Sequence, residues 1–381
     1  MTEPRFLQIH TLTPHTSALL NRDDSGLAKR LPFGGETRTR ISSQCLKRHW
    51  RTADDAHALN NIAGAPEAKR SRELVTRKVV KELKDTGRFP EEVLDALEPE
   101  FQKAVYGDKG TEKRNRQTLL LGDPEIAWLR SEAERLATDA GGDATAAGEA
   151  AKQWAKDYRP NIKAMREATA LPGGLTAALF GRMVTSDTDA NITAPVHVAH
   201  AFTVHKEESE SDYFTAVDDL AGPDETGADT IQETELTSGL FYGYVVVDLP
   251  GLIRNLGGDA ALAGRVLHHL IHLIAEVSPQ AKLGSTAPYS RAAFMLLEAG
   301  DRQPRSLAEA FRKPSGANTA AAVDALATKL RAFDDVYATG EDRRFLSVEP
   351  DIGIPGGDRG ALSDLATWAG SLPERLTEPA S

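Results

Sequence analysis

Residues 195–206 read PVHVAHAFTVHK, and the way they are parsed decides the fold of the whole chain. Val196, Val198, Phe202 and Val204 share one parity, the spacing of a strand with one buried face. Upstream, from about residue 60 to residue 183, the pattern is helical and heavily charged. The expected helices are 67–84, 91–104, 124–137, 144–158 and 175–183, with glycine joints at Gly141-Gly142 and Gly173-Gly174. Further upstream, FLQIHTL at residues 6–12, bounded by Pro4 and Pro14, reads as a first strand. Residues 21–40 read as a loop, and Ser42-Ser43 offers the N-cap of a helix reaching about residue 56. Downstream, residues 239–249 form a strand with Tyr242, Tyr244 and Val246 on one face. A strongly apolar helix at 260–277 and a strand at 291–298 follow, before a tail of short helical pieces and Pro/Gly loops. With the insertions removed, the order is strand, helix, strand, strand, helix, strand. That is the split βαβ, ferredoxin-like α+β order shared by RNA-recognition domains, a core that also hosts many unrelated functions.

The 381 residues carry 45 Lys+Arg against 56 Asp+Glu, a formal net charge of −11, with 40 % hydrophobic and 27 % charged residues. This is the composition of an ordinary globular protein. The single cysteine, Cys45, excludes an intrachain disulfide and any multi-cysteine metal site. Neither a signal-peptide pattern nor an apolar run of membrane-spanning length is visible, so the sequence reads as cytoplasmic. An acidic average argues against nucleic acid until it is resolved along the chain. Between residues 22 and 51, eight cations (Arg22, Lys29, Arg30, Arg38, Arg40, Lys47, Arg48, Arg51) face three carboxylates (Asp23, Asp24, Glu36), a net of +5. Between residues 206 and 235, eleven carboxylates face one lysine, a net of −10. Gln44, Lys47, Arg48 and Arg51 fall on one helical face, and Cys45, Leu46, His49, Trp50 and Ala53 on the other. A basic stripe behind a helix start, with the Ser42 and Ser43 hydroxyls, the Gly34-Gly35 loop and Lys29, suits a phosphate chain. The competing reading is a solvated face with ordinary ion pairs.

The catalytic constellations are weaker. Asp23-Asp24 could hold Mg²⁺ for phosphodiester cleavage, or simply salt a turn, and no third carboxylate accompanies them. His268 and His272 have ligand spacing, but His269 stands where a zincin has glutamate and no distal ligand is evident, so core or interface histidines are favoured. His197, His200 and His205 divide between two strand faces. Cys45 and His49 could form a thiolate pair but lie on the packing side of their helix. No cofactor motif or nucleophile elbow is present, so no enzyme constellation stands out.

The block NRDDSGLAKRLPFGGETRTRISSQCLKRHWR at 21–51, preceded by FLQIHTL, resembles the CasC family, the backbone subunit of the type I-E CRISPR Cascade complex. FGRMVTSD at 180–187, HVAHAFTVH at 197–205, DYFTAVDDL at 212–220 and SGLFYGY at 238–244 extend the likeness to at least Pro288, with a weaker match in the tail. The resemblance implies an RNA-recognition-like palm (1–59, 191–205 and, with the tail, 238–381), a helical fingers insertion (60–190) and a thumb hairpin (206–237). It implies that Arg22, Lys29, Ser42, Gln44, Lys47, Arg48 and Arg51 touch guide RNA. Met183 and the pair Tyr213-Phe214 would pack near bases at a kink; the family often has Trp-Phe at the latter positions. Lys152 and Lys156 are weaker candidates for target DNA. The implied partners are crRNA, target DNA read through the guide, and further copies of the chain stacked head to tail. Large, small, cap and crRNA-processing Cascade subunits complete the set, with a separate recruited nuclease-helicase doing the cutting. The subunit itself would be non-catalytic, with no cofactor and no metal. On this reading the acidic segment meets a basic neighbour while the basic segment meets RNA; a metal-dependent RNA endonuclease using Asp23 or Asp24 is the alternative.

Overall fold

The apolar run at residues 6–12 belongs to a 13-residue strand, β1 (Phe6–Ala18), in a computed structural model that describes residues 3–185, 187–216, 230–279 and 281–376. β1 continues through Pro14 because beyond Leu12 it pairs on one side only, where a strand tolerates a missing N–H. After it come β2 (Arg30–Phe33), β3 (Glu36–Ile41) and α1 (Ser43–Arg51), then β4 (Ala68–Ser71), α2 (Lys81–Lys84), α3 (Glu91–Tyr106) and β5 (Leu119–Gly122). α4 (Asp123–Asp139), α5 (Ala144–Ala168) and α6 (Gly174–Phe180) lead to β6 (Val196–Val198), β7 (Ala201–Thr203), β8 (Glu208–Ala216) and β9 (Thr230–Asp248). The chain closes with α7 (Leu249–Asn255), α8 (Ala260–Glu276), α9 (Leu283–Thr286) and β10 (Phe294–Gly300). α10 (Thr319–Tyr337), β11 (Asp342–Ser347), β12 (Gly357–Arg359) and α11 (Leu362–Arg375) follow.

Two compact units result: residues 1–59, 197–250 and 263–381 form the first, and residues 60–196 with 251–262 the second. The first is a mixed α+β body built on one large sheet of order β12-β11-β10-β1-β9-β7-β3-β2, with β6 and β8 also bonded to β9. Its centre, β10-β1-β9-β7, is antiparallel at every step, and α8 lies in the connection from β9 to β10. Leu12, Tyr242, Phe294 and Leu296 on the sheet bury against Leu326 and Leu330 of α10 and against Phe311. On the same face of the sheet, Glu298 of β10 is wholly buried and accepts from His10 at 3.0 Å, Arg305 at 2.6 and 2.9 Å, and Arg343 at 2.9 Å. Burial opposes its ionisation, but hydrogen bonds from His10 and Arg305 hold the carboxyl well below the ordinary carboxylate range. The second unit gathers α3, α4 and α5 around Phe101 and Trp154, stacked at 3.9 Å, while buried Glu125 receives Arg166 and Arg182, each at 2.6 Å.

Several expectations change. Residues 30–41, read as part of a loop, are the β2–β3 hairpin. Gly34 and Gly35, at φ of +64° and +86°, make the two-residue turn that left-handed backbone allows, and a Cβ on Gly34 would collide with the Arg312 carbonyl. The strand at 195–206 is split into β6 and β7 around Ala199-His200, though Ala199 still donates to Tyr244 O. The helix after Ser42 stops at Arg51: the Thr52 N–H and hydroxyl both return to Arg48 O, and Asp55 then starts a new turn by accepting from His57 N. The segment at 67–84 begins as β4, paired with β5, and its helical part starts only at Val75 with a π-helical turn. Pro160 does not end α5, which runs to Ala168.

Candidate nucleic-acid interface

α1 presents the two faces its periodicity requires. Cys45 and Leu46 pack against Ala18, Leu20, Ile41, Ala201 and Phe241, and Trp50 is buried, whereas Gln44 and Arg48 are exposed. Its start is held by its own cap and by side chains from two other segments. Ser42, in extended conformation, accepts from Cys45 N through its hydroxyl at 3.2 Å; Ser42 N donates to Asn21 Oδ1 at 2.8 Å; Ser43 N donates to His200 Nδ1 at 3.0 Å. The Ser42 and Ser43 N–H groups are thus taken within the chain, while the Ser42 hydroxyl, an acceptor for Cys45 N, keeps its own O–H to donate.

What the structure does assemble is charge. His200 is held below its ordinary pKa by burial and then by the fields of Arg40, Lys29 and Lys47. Cys45 is pushed up to about 11 by burial, against the pull of Lys29 and Arg48, so it is a thiol and no thiolate pair with His49 forms. Four cations from β3, α1 and the residue before β2 therefore act on His200 and Cys45 beside the start of α1. Arg40 Nε is buried and has no hydrogen-bond partner among the described residues. Arg51 lies half-buried at the end of the same helix, and Arg22 is exposed beside a tight turn bridged to Ala28. Sequence reasoning counted Arg40 in the basic block but left it out of the RNA-contact set, and it missed His200; the signal for both was their adjacency in the sheet.

Two cations counted in the basic block do not belong to it. Arg38 is fully buried and donates to the carbonyls of Phe33, Thr203 and Phe311, locking the hairpin to β7 and the Phe311 turn. Arg30 is taken by Glu207 and Glu235 from the acidic segment, and Glu235 also accepts from Ala28 N at 2.7 Å. The +5 and −10 blocks thus partly neutralise each other within one unit. Asp218, Asp219, Asp224, Glu225 and Asp229 lie outside the described residues.

The other candidates are scattered. Tyr213 and Phe214 sit on β8, 62 % and 39 % exposed, with Lys282 Nζ 4.9 Å from the Phe214 ring centre. As consecutive strand residues they face opposite sides, so one base cannot stack on both. Met183, in the second unit, is 72 % exposed. Lys152 and Lys156 project from α5 and hydrogen-bond Glu149 and Gln153 at 2.7 and 3.1 Å. Asp23 Oδ1 accepts from Ser25 N and Leu27 N at 2.9 and 3.0 Å, so it organises a turn, and Asp24 is exposed. His205 hydrogen-bonds Leu240 N at 3.1 Å and His197 is exposed. A distal partner for His268 and His272, which spacing did not reveal, is His57.

Against this geometry the comparisons fall into place. Among the solved structures that share the fold are two described as a CRISPR RNA-guided surveillance complex. One, in a pre-nicking state, matches at a TM-score of 0.78 with 24 % identity, covering 96 % of this chain and 100 % of that one. The other matches at 0.69 with 22 % identity, covering 96 % and 99 %. The fold is therefore that of a surveillance-complex chain. The model of the CT1975-like Cas protein family matches residues 7–368, and the chain belongs to that family. No curated protein matches significantly. Among the described residues, no helix is long and apolar enough to cross a membrane.

Proposed function

We propose that this chain is a guide-RNA-binding backbone subunit of a type I-E Cascade surveillance complex, which polymerises along the crRNA spacer and presents it to target DNA. The observation that carries the reading is the set of Lys29, Arg40, Lys47 and Arg48 acting on His200 and Cys45 beside the start of α1, with Gln44 exposed. The antiparallel β10-β1-β9-β7 centre supports an RNA-recognition-like, ferredoxin-like palm; the second unit fits the fingers, and the β8–β9 hairpin fits a thumb. In such an assembly Watson–Crick pairing supplies sequence information, so the protein grips phosphate and sugar and leaves base edges outward. The exposed aromatics of β8 suit a wedge that interrupts stacking, and exposed Met183 of the second unit suits a separate apolar contact with a base. Heterologous contacts between copies that do not close a ring extend into a filament.

The subunit acts without catalysis on this reading, since Asp23 is committed to its turn. Two experiments test the proposal. The double variant Lys47→Glu with Arg51→Glu, in the reconstituted complex, is expected to lose bound RNA and its high 260/280 nm absorbance ratio while the isolated chain stays folded; normal assembly would remove the assignment. Incubating the complex with complementary RNA and Mg²⁺ is expected to leave the RNA intact. Periodic cuts abolished by Asp23→Ala or Asp24→Ala would instead establish the endonuclease.

A further inference from the structure

His57 lies six residues beyond Arg51, on the turn that follows α1, and meets the 268/272 pair of α8 within the first unit. One ring nitrogen from each of the three falls within 4.8 Å of the others, and no other such His/Cys/Asp/Glu group occurs among the described residues. The i, i+4 pair on one helical face is a spacing that zinc sites use. More telling is what the other nitrogens do. His272 Nδ1 faces Glu276 Oε2 at 3.4 Å, His57 Nδ1 faces Asp55 Oδ1 at 3.5 Å, and His268 hydrogen-bonds the backbone of Ala366. A metal-ligating histidine characteristically gives its second N–H to a carboxylate or carbonyl, fixing its tautomer. Here His272 and His268 have such acceptors, which leaves Nε2 of His272 for an ion, while His57, whose Nδ1 only approaches Asp55, is held less firmly. The site is reachable: the His57 side chain is 30 % exposed and that of His272 is 11 % exposed.

We propose that His57, His268 and His272 bind one zinc-class divalent cation, with water in the remaining tetrahedral position. The His57 and His272 rings lie stacked, 3.6 Å apart and 1° from parallel, so their in-plane lone pairs converge only when a ring turns. His57 is the ring placed to turn, being on a loop while the other two are fixed on α8. Its backbone is held meanwhile by a hydrogen bond between His57 O and His269 Nδ1 at 2.9 Å. Binding would clip the exit of the basic helix to α8, a structural role independent of the RNA assignment.

The test is Zn²⁺ calorimetry and Co²⁺ titration on the full-length, tag-free chain after chelator dialysis. One ion per chain is expected, with a visible cobalt ligand-field band and a raised Tm. His57→Ala and His272→Ala are each expected to abolish stoichiometric binding, and Glu276→Gln to weaken it about 10–100-fold. Should His272→Ala unfold, His57→Ala decides alone, since His57 sits on an accessible loop and the variant keeps all other histidines. Absent binding in the parent chain, or unchanged binding in His57→Ala, overturns the site, the latter showing an adventitious ion only.

Discussion

Replacing Lys29 by alanine removes one of the four cations beside the α1 start, and leaves intact the backbone bonds from Lys29 N to Asn21 O and from Arg40 N to Lys29 O. If each of the four meets one phosphate of a single strand, counterion release gives a log–log salt slope of about 0.7 per contact, hence about 2.8 for the patch. Raising salt fourfold, from about 50 to about 200 mM, then weakens binding about 50-fold in the parent and about 20-fold in the Lys29→Ala variant. Fluorescence anisotropy with an unstructured labelled RNA, at several KCl concentrations, reads both slopes. A control independent of RNA comes from His200: loss of a neighbouring positive charge lets its ring protonate at higher pH, so its NMR titration moves up toward the ordinary histidine value. Identical salt slopes in parent and variant, with the His200 titration shifted as stated, would refute the phosphate role of the patch while confirming its geometry.

Glu298→Gln should cost about 3–5 kcal/mol in denaturant unfolding, because it strands Arg305 and Arg343 beside a neutral group; a loss under about 1 kcal/mol would contradict the buried network. Because the Glu298 carboxyl sits below its unfolded value, its contribution is complete above the ordinary carboxylate range and disappears as pH falls through that range and below. Acid should therefore lower the parent Tm more steeply than that of the Gln variant, and parallel curves would count against it. Ser42→Ala removes the α1 cap and should cost about 1 kcal/mol in the same assay, whereas no measurable cost would mean Asn21 and His200 cap the helix alone. Tyr213→Ala should weaken RNA binding by about 1–3 kcal/mol and Phe214→Ala by less, given the opposite faces of β8 and their unequal exposure. Equal losses would show that both rings reach RNA.

Much of the scaffold was legible locally. The strand at 6–12, the Ser42 cap, the two faces of α1, the apolar helix α8 and a strand read at 291–298, which begins and ends a few residues later as β10, all follow from short-range chemistry and periodicity. What misled was composition read without context. Asp, Gly and basic residues at 21–40 looked like a loop, yet an alternating stretch around Gly34-Gly35 is a hairpin whose inner strand, β3, is joined to the sheet by β7. Residues 68–71 looked helical within a charged segment, yet a partner 50 residues away turns them into a strand.

The charge count shows where the division falls. Periodicity alone placed Gln44, Lys47, Arg48 and Arg51 on one face, since helical geometry depends only on spacing. Which cations form a patch depended on partners far along the chain. Arg38 vanished into three carbonyls, Arg30 into Glu207 and Glu235, while Arg40 and His200 were drawn in across the β3–β7 pair. Histidines 57, 268 and 272 met for the same reason. Sequence determined the elements and their polar faces; the tertiary structure decided which charges were spent internally and which remained to act, because a charge is neutralised by its neighbours in space.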